Sequence, residues 1–169
     1  MELVIPQGTV VTLRPASPSD EDFLHELYRD RRTPELMALG WNGDDQRAFI
    51  DMQFRAQQEG YGSTFPDAAH WLVLVDGDRA GRLLVDHKQD GHRVVDVVLL
   101  TAYRGRGVGT ALMNATVAEA RTQRVPVRLT VAAHDERLVR WYQGLGFSIV
   151  GEQLPNLHMA WFPPPADEG

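Results

Sequence analysis

Val94-Val95-Asp96-Val97-Val98-Leu99-Leu100, followed by Thr101-Ala102-Tyr103-Arg104-Gly105-Arg106-Gly107-Val108-Gly109-Thr110, is the stretch that decides the fold. Its first seven residues are apolar apart from Asp96. A run this continuous suits a central strand covered on both faces, because a half-exposed strand alternates polar and apolar positions. Past the glycines, Val108, Ala111, Leu112, Ala115 and Ala118 recur at helical spacing to about Arg121, and Pro126 cannot continue that helix. Val127 to Ala132 then alternates as another strand. A strand–helix–strand unit crosses over right-handed, so the strands at 94–100 and 127–132 are expected to run parallel.

The loop between the first strand and the helix carries the chemistry. A helix start offers about four free N–H groups and the positive end of a dipole, which suits an anion. Gly105, Gly107 and Gly109 let backbone approach that anion closely, and Arg104 and Arg106 add charge-assisted donors. The predicted ligand is a phosphate or pyrophosphate. The nucleotide P-loop needs a lysine after its last glycine, and none is here. The dinucleotide fingerprint needs a third glycine where Thr110 stands, and it opens a domain after the first strand.

Working outward, Thr9 to Arg14 reads as a strand. Ser17, Pro18 and Asp20 form a capping signal for a helix with Phe23, Leu24, Leu27 and Tyr28 on one face. Thr33-Pro34 repeats that signal and predicts a separate short helix through Leu39. Asp44 or Asp45 opens a further helix with Phe49, Ile50, Met52, Phe54 and Ala56 as its buried side, and 60–67 is expected to be a loop. Trp71–Val75 and Ala80–Val85 are strands joined by the turn Asp76-Gly77-Asp78, with a second turn at 89–92. Asp135 caps a helix bearing Leu138, Val139, Tyr142 and Leu145, and Gly144 and Gly146 end it. Phe147–Glu152 and Leu157–Phe162 make a final hairpin. The order gives a mixed α/β fold around one sheet. A single domain over 1–169 is expected, with its core at about 9–162 and a loose proline-rich tail at 163–169.

Bulk properties narrow the function. A net charge of −6 argues against nucleic acid or an anionic membrane as partner. It favours cationic substrates only weakly, since solubility explains it as well. With no cysteine, disulfides, zinc–thiolate sites and thiol nucleophiles are excluded, and no metal is expected. The N-terminal residues do not read as a signal peptide, and no apolar run reaches the length of a membrane span, so the expected location is cytoplasmic.

Arg104, Gly107 and Gly109 form R-x-x-G-x-G between an apolar strand and a long helix. In that setting the run resembles the acyl-CoA motif of the GNAT superfamily of N-acetyltransferases. Asp135 to Phe147 supports the likeness: Tyr142, Leu145, Gly146 and Phe147 match the family's N-x-x-A-x-x-L-Y-x-x-L-G-F segment, with Asp135 in place of the usual Asn and Leu138 in place of a small residue. The resemblance covers about 9–162 and implies a mixed central sheet. Its N-terminal strands are antiparallel, a parallel pair splays around the acyl-CoA site, and helices cover both faces. It implies transfer of an acetyl group from acetyl-CoA to the primary amine of a small molecule or peptide, by direct attack in a ternary complex. Backbone at Leu99 and Leu100 would hold the pantetheine arm. The amides of Gly105, Arg106, Gly107, Val108, Gly109 and Thr110 would take the pyrophosphate. Tyr142 would protonate the departing thiolate, and Asp135 would contact the coenzyme. The family also allows a homodimer, and the same motif would serve a chain that binds acyl-CoA without turnover.

The amine must lose a proton. Asp96, the one acid in the central strand, is the candidate base, and a salt bridge to Arg93 or Arg82 is the competing reading. His134 is a further candidate. Met52, Phe54, Tyr61, Phe65, Trp71 and His158 are candidate acceptor-lining residues, with core packing as their alternative fate.

Overall fold

The computed structural model describes residues 1–5 and 8–165. Strand β1 (Glu2–Val4) pairs antiparallel with β2 (Val10–Pro15), and a 3-10 turn at Pro18–Asp20 leads into α1 (Glu21–Ala38) and α2 (Gly43–Thr64). Then come β3 (Ala69–Val75), β4 (Asp78–Lys88) and β5 (Gly91–Leu99), a second 3-10 turn at Thr101–Tyr103, and α3 (Val108–Gln123). The chain closes with β6 (Val127–Ala132), α4 (Glu136–Gly144), β7 (Ser148–Gln153) and β8 (Asn156–Trp161). Among the described residues, eight strands lie in one sheet, in the order β1-β2-β3-β4-β5-β6-β8-β7. The predicted parallel pair is there: β5 and β6 run parallel and every other neighbouring pair is antiparallel.

That parallel pair is short. Register is kept only at His92–Val127 and Arg93–Arg128. The next residues of β5 carry an irregularity, since Val94 opposes Val85 and Asp96 opposes Leu84, leaving Val95 unmatched. An extra residue in one strand bends it and sharpens its twist. It also resets the faces. Val94, Val97 and Leu99 pack into the larger core with Leu112 and Met113 of α3 and Tyr142 of α4. Val98 packs into the smaller core with Phe23, Leu24 and Leu27 of α1 and Phe54 of α2. Helices therefore cover both faces of β5, as its apolar run required.

Several boundaries differ from the sequence reading. The separate helix predicted at Thr33-Pro34 does not exist: α1 runs through both residues to Ala38. Proline forfeits one intrahelical bond there, but Leu36 beyond it is buried and holds the last turn down. Helix α2 extends to Thr64, across the predicted loop at 60–67, despite Gly60 and Gly62. Tertiary anchors outweigh those glycines, because Gln57, Gln58 and Tyr61 all engage Arg82. The buried side of α2 is Gln46, Ile50 and Phe54, spaced by four; Met52 and Ala56, two residues out of phase, face solvent. Strand β1 was not expected, and it is short. Of the predicted tail, 166–169 lies outside the described residues and 163–165 has no regular structure. Among the described residues no helix is long and apolar enough to cross a membrane.

The capping signal at Ser17–Asp20 is built as a buried ion pair. Asp20 is 2% exposed and accepts from Arg14 Nη1 and Nη2 at 2.8 and 2.7 Å and from the Ser17 N–H at 2.9 Å. The Arg14 hydrogen bonds hold its carboxyl well below the ordinary carboxylate range. A depressed native pKa contributes stability above the unfolded pKa and loses it as pH falls. Asp20→Asn is therefore expected to cost about 1–2 kcal/mol at pH 7, allowing for the half-exposed arginine. In urea melts, the gap between variant and parent should close progressively once pH drops below about 4.

Candidate acyl-CoA site

Gly107 sits at φ 84°, in the left-handed region, and turns the chain into α3. The amide of Ala111 takes the Gly107 carbonyl at 3.0 Å, the first closing bond of the helix. Among the described residues, the N–H groups of Gly105, Arg106, Gly107, Val108, Gly109 and Thr110 donate to no protein acceptor. These six consecutive free donors meet the positive end of the helix dipole. Gly109 has a second role: a Cβ there would stand 3.4 Å from the Trp141 ring. Trp141 also donates Nε1 to Thr110 Oγ1 at 3.3 Å, so α4 is packed directly on the first turn of α3.

The two arginines of the loop differ. Arg104 folds back, donating Nε to the Leu99 carbonyl at 2.9 Å, with Nη2 3.6 Å from Asp30. Arg106 lies over the Tyr103 ring at 5.8 Å. Asp30 accepts both the N–H and the hydroxyl of Thr101, at 2.9 and 2.8 Å, tying α1 to the loop. Asp30 has no sequence signature; only the fold brings it here.

Beside the loop, β5 offers an open edge. The Leu100 N–H bonds the Ala80 carbonyl at 2.8 Å, so it faces β4. Antiparallel alternation then turns the N–H groups of Val97 and Leu99 to the opposite edge, toward β6, where pairing has already ended. Of the two residues expected to hold an extended ligand, Leu99 thus presents its amide to the cleft, and Leu100 spends its own in the sheet.

Tyr142 lies in the larger core at 5% exposure, with its ring 4.7 Å from Trp141 and 5.7 Å from Phe147. Its hydroxyl makes no hydrogen bond among the described residues. Burial, and then the Asp96 carboxylate, push its pKa up to about 12. At neutral pH it is a proton donor without a partner. Asp135 caps α4, accepting the Leu138 N–H at 3.0 Å.

Asp96 is buried on the α1–α2 face and forms an ion pair with Arg82, one of the two arginines the sequence nominated. Its other oxygen lies 3.7 Å from Arg31 Nη1. Arg82 also donates to Gln58 at 2.8 Å and Gln57 at 2.9 Å, and lies 5.4 Å from the centre of the Tyr61 ring. Burial and then Asp96 raise Tyr61 to about 12. A small cleft opens here, lined by Leu24, Tyr28, Arg31, Gln57, Arg82 and Asp96 among others. Sequence reading missed Arg31 and Gln57. Arg31 follows Leu24, Leu27 and Tyr28 at helical spacing, and that pattern could have found it.

The remaining candidates scatter. Phe54 is core, stacked on His25 at 4.8 Å, and Met52 faces solvent away from the cleft. Trp71 packs on the larger core, on the α3 side of the sheet. Phe65, Arg93, Thr130 and His158 form a chain further along β5 and β6, with Arg93 5.9 Å from the Phe65 ring centre and donating to Thr130 at 3.0 Å, and His158 3.3 Å from Thr130. His134 is exposed in the turn after β6.

Comparison with known proteins accords with this geometry. The solved structure of PaiA N-acetyltransferase from Thermoplasma acidophilum, in complex with coenzyme A, superposes with a TM-score of 0.67 at 15% identity, covering 90% of this chain and 98% of that one. A histone acetyltransferase HPA2-related acetyltransferase from Corynebacterium glutamicum gives 0.65 at 21% identity, over 90% and 96%. A GNAT acetyltransferase from Elizabethkingia anophelis with acetyl-CoA bound gives 0.59 at 10% identity, over 90% and 97%. At these identities the likeness shows the fold. A search of curated proteins returned no match. The model of the acetyltransferase (GNAT) family matches residues 22–147, which spans α1, the glycine loop and Tyr142, and the chain belongs to that family.

Proposed function

We propose that the chain transfers an acetyl group from acetyl-CoA to a primary amine, by direct attack in a ternary complex. The observation that carries this reading is the row of six unpaired amides at Gly105–Thr110 beside the open edge of β5. Those amides, with the outer nitrogens of Arg104 and Arg106, suit a pyrophosphate. The Val97 and Leu99 N–H groups suit the amide-bearing arm and the thioester carbonyl. Holding thioester and amine together supplies much of the rate.

In this reading the amine lone pair attacks the thioester carbon, and the C–S bond breaks as the tetrahedral oxyanion collapses. The thiolate takes the Tyr142 proton. The attacking nitrogen gives up one proton to water in the cleft, and Tyr142 regains one from solvent, so protons balance. Asp96 serves as an anchor for Arg31 and Arg82: both its oxygens face guanidinium groups, and taking a proton would break an ion pair.

The acceptor cleft reverses the sign of the whole chain. Two arginines face one aspartate there, against a net charge of −6 overall. Arg31 is half exposed, and its ion pair with Asp96 is long. We infer that the acceptor carries an anionic group, such as a carboxylate, near its amine. The cytosol, which supplies acetyl-CoA, is the proposed location.

A thiol-release assay with acetyl-CoA across an amine panel tests the proposal. Gly107→Glu is expected to abolish the rise in Tm on adding coenzyme A, since it adds charge and an L side chain at a left-handed position. Tyr142→Phe is expected to lower kcat about 100-fold and leave coenzyme binding unchanged. Arg31→Gln should raise KM about tenfold for carboxylate-bearing amines and leave it unchanged for their amides. Coenzyme binding without thiol release from any amine would instead establish a non-catalytic acyl-CoA binder.

A further inference from the structure

We propose that His87, His92 and Glu119 form a site for one divalent transition-metal ion of the zinc class, at the end of β5 remote from the glycine loop. The β4–β5 hairpin register sets His87 directly opposite His92. Directly opposed residues of antiparallel strands share a face. Their ring centroids are 4.5 Å apart in an edge-on arrangement. Helix α3 lays Glu119 across them, with Oε1 3.8 Å from His87 Nδ1. One donor atom from each of the three side chains lies within 4.8 Å of the other two.

His92 is the telling member. It is 1% exposed, and neither ring nitrogen has a hydrogen-bond partner among the described residues. Gln123 lies beside the ring but does not reach hydrogen-bond geometry. A buried imidazole with both nitrogens unsatisfied is costly and calls for a partner.

The spacing is close to what zinc needs. Tetrahedral N and O ligands at about 2.1 Å from the ion stand about 3.4 Å from one another. Closing the present separations takes about 1.4 Å at most by that measure. His87 and Glu119 have side chains 33% and 50% exposed, free to turn inward onto the fixed His92. Gln123 Nε2 donates to Glu119 Oε1 at 3.3 Å and orients the carboxylate from outside. Two imidazoles and a carboxylate favour zinc-class ions over magnesium or calcium, which take all-oxygen shells. Water completes the fourth position.

The site stands about 23 Å from the cleft end of β5, at about 3.3 Å per strand residue from His92 to Leu99. It pins α3 to the β4–β5 hairpin and takes no part in acyl transfer, so it does not rest on the proposed activity. Chelator-treated full-length protein titrated with Zn2+ by calorimetry is expected to bind one equivalent and to gain in Tm. Co2+ should give the visible absorption of a four-coordinate site. His87→Ala and Glu119→Gln, both at accessible positions, should each weaken Zn2+ by at least about 100-fold. Their metal-free melting and coenzyme A response should match the parent, which reports that they fold. Parent protein that fails to take up one equivalent, or variants that bind Zn2+ as the parent does, would overturn the site.

Discussion

The structure depends on β5 parting from β6 after two residue pairs. Two parallel strands fully laddered together would leave no room between them and no free amides along the inner edge. The unmatched Val95 bends β5 at that point, and β6 keeps its other edge paired to β8 along its whole length. The cleft is thus a controlled failure of hydrogen bonding, and the groups left unpaired are those a linear amide-bearing ligand can satisfy. The loop and α3 follow at the open end of the same strand, so the open strand edge and the glycine loop belong to one continuous piece of chain.

The opposite face meets a different constraint. Arg82 and Asp96 stand opposite α1 and α2, beside the smaller apolar core. Buried ion pairs rarely add stability over apolar residues of the same size. This pair instead fixes geometry: it gathers Gln57, Gln58, Tyr61 and Arg31 around one point. The polarity of this small cleft follows from a single cross-strand contact that both helices then organise around.

Much of this was legible in the sequence. The apolar run at 94–100, the glycines and the Tyr142 segment specify the strand, the turn into α3 and the parallel crossover, because each is a local pattern with a local cause. The sequence offers a salt bridge to Arg93 or Arg82 as the alternative to a base at Asp96, and the hairpin register sets Arg82 beside that carboxylate. What escaped reading was non-local. The bulge at Val95 leaves no mark in a stretch of valines. Gly60 and Gly62 signal a loop, and α2 overrides them only because its far end grips Arg82. Asp30 and Arg31 look like ordinary surface charges of α1 until the loop and β5 are laid against it. Met52 and Phe54 were given the same helix face, and two residues of helical phase separate them.

The amides at Gly105–Thr110 belong to the main chain, and that has an evolutionary consequence. A grip made by side chains is lost when those side chains change. A grip made by peptide groups survives almost any substitution that preserves the turn. Only positions such as Gly107, whose left-handed backbone disfavours any side chain, are held by the turn itself. Superposable folds at 10–21% identity are what such tolerance allows. The face around Arg82 and Asp96, built from side chains, is free to diverge at a different pace from the glycine loop.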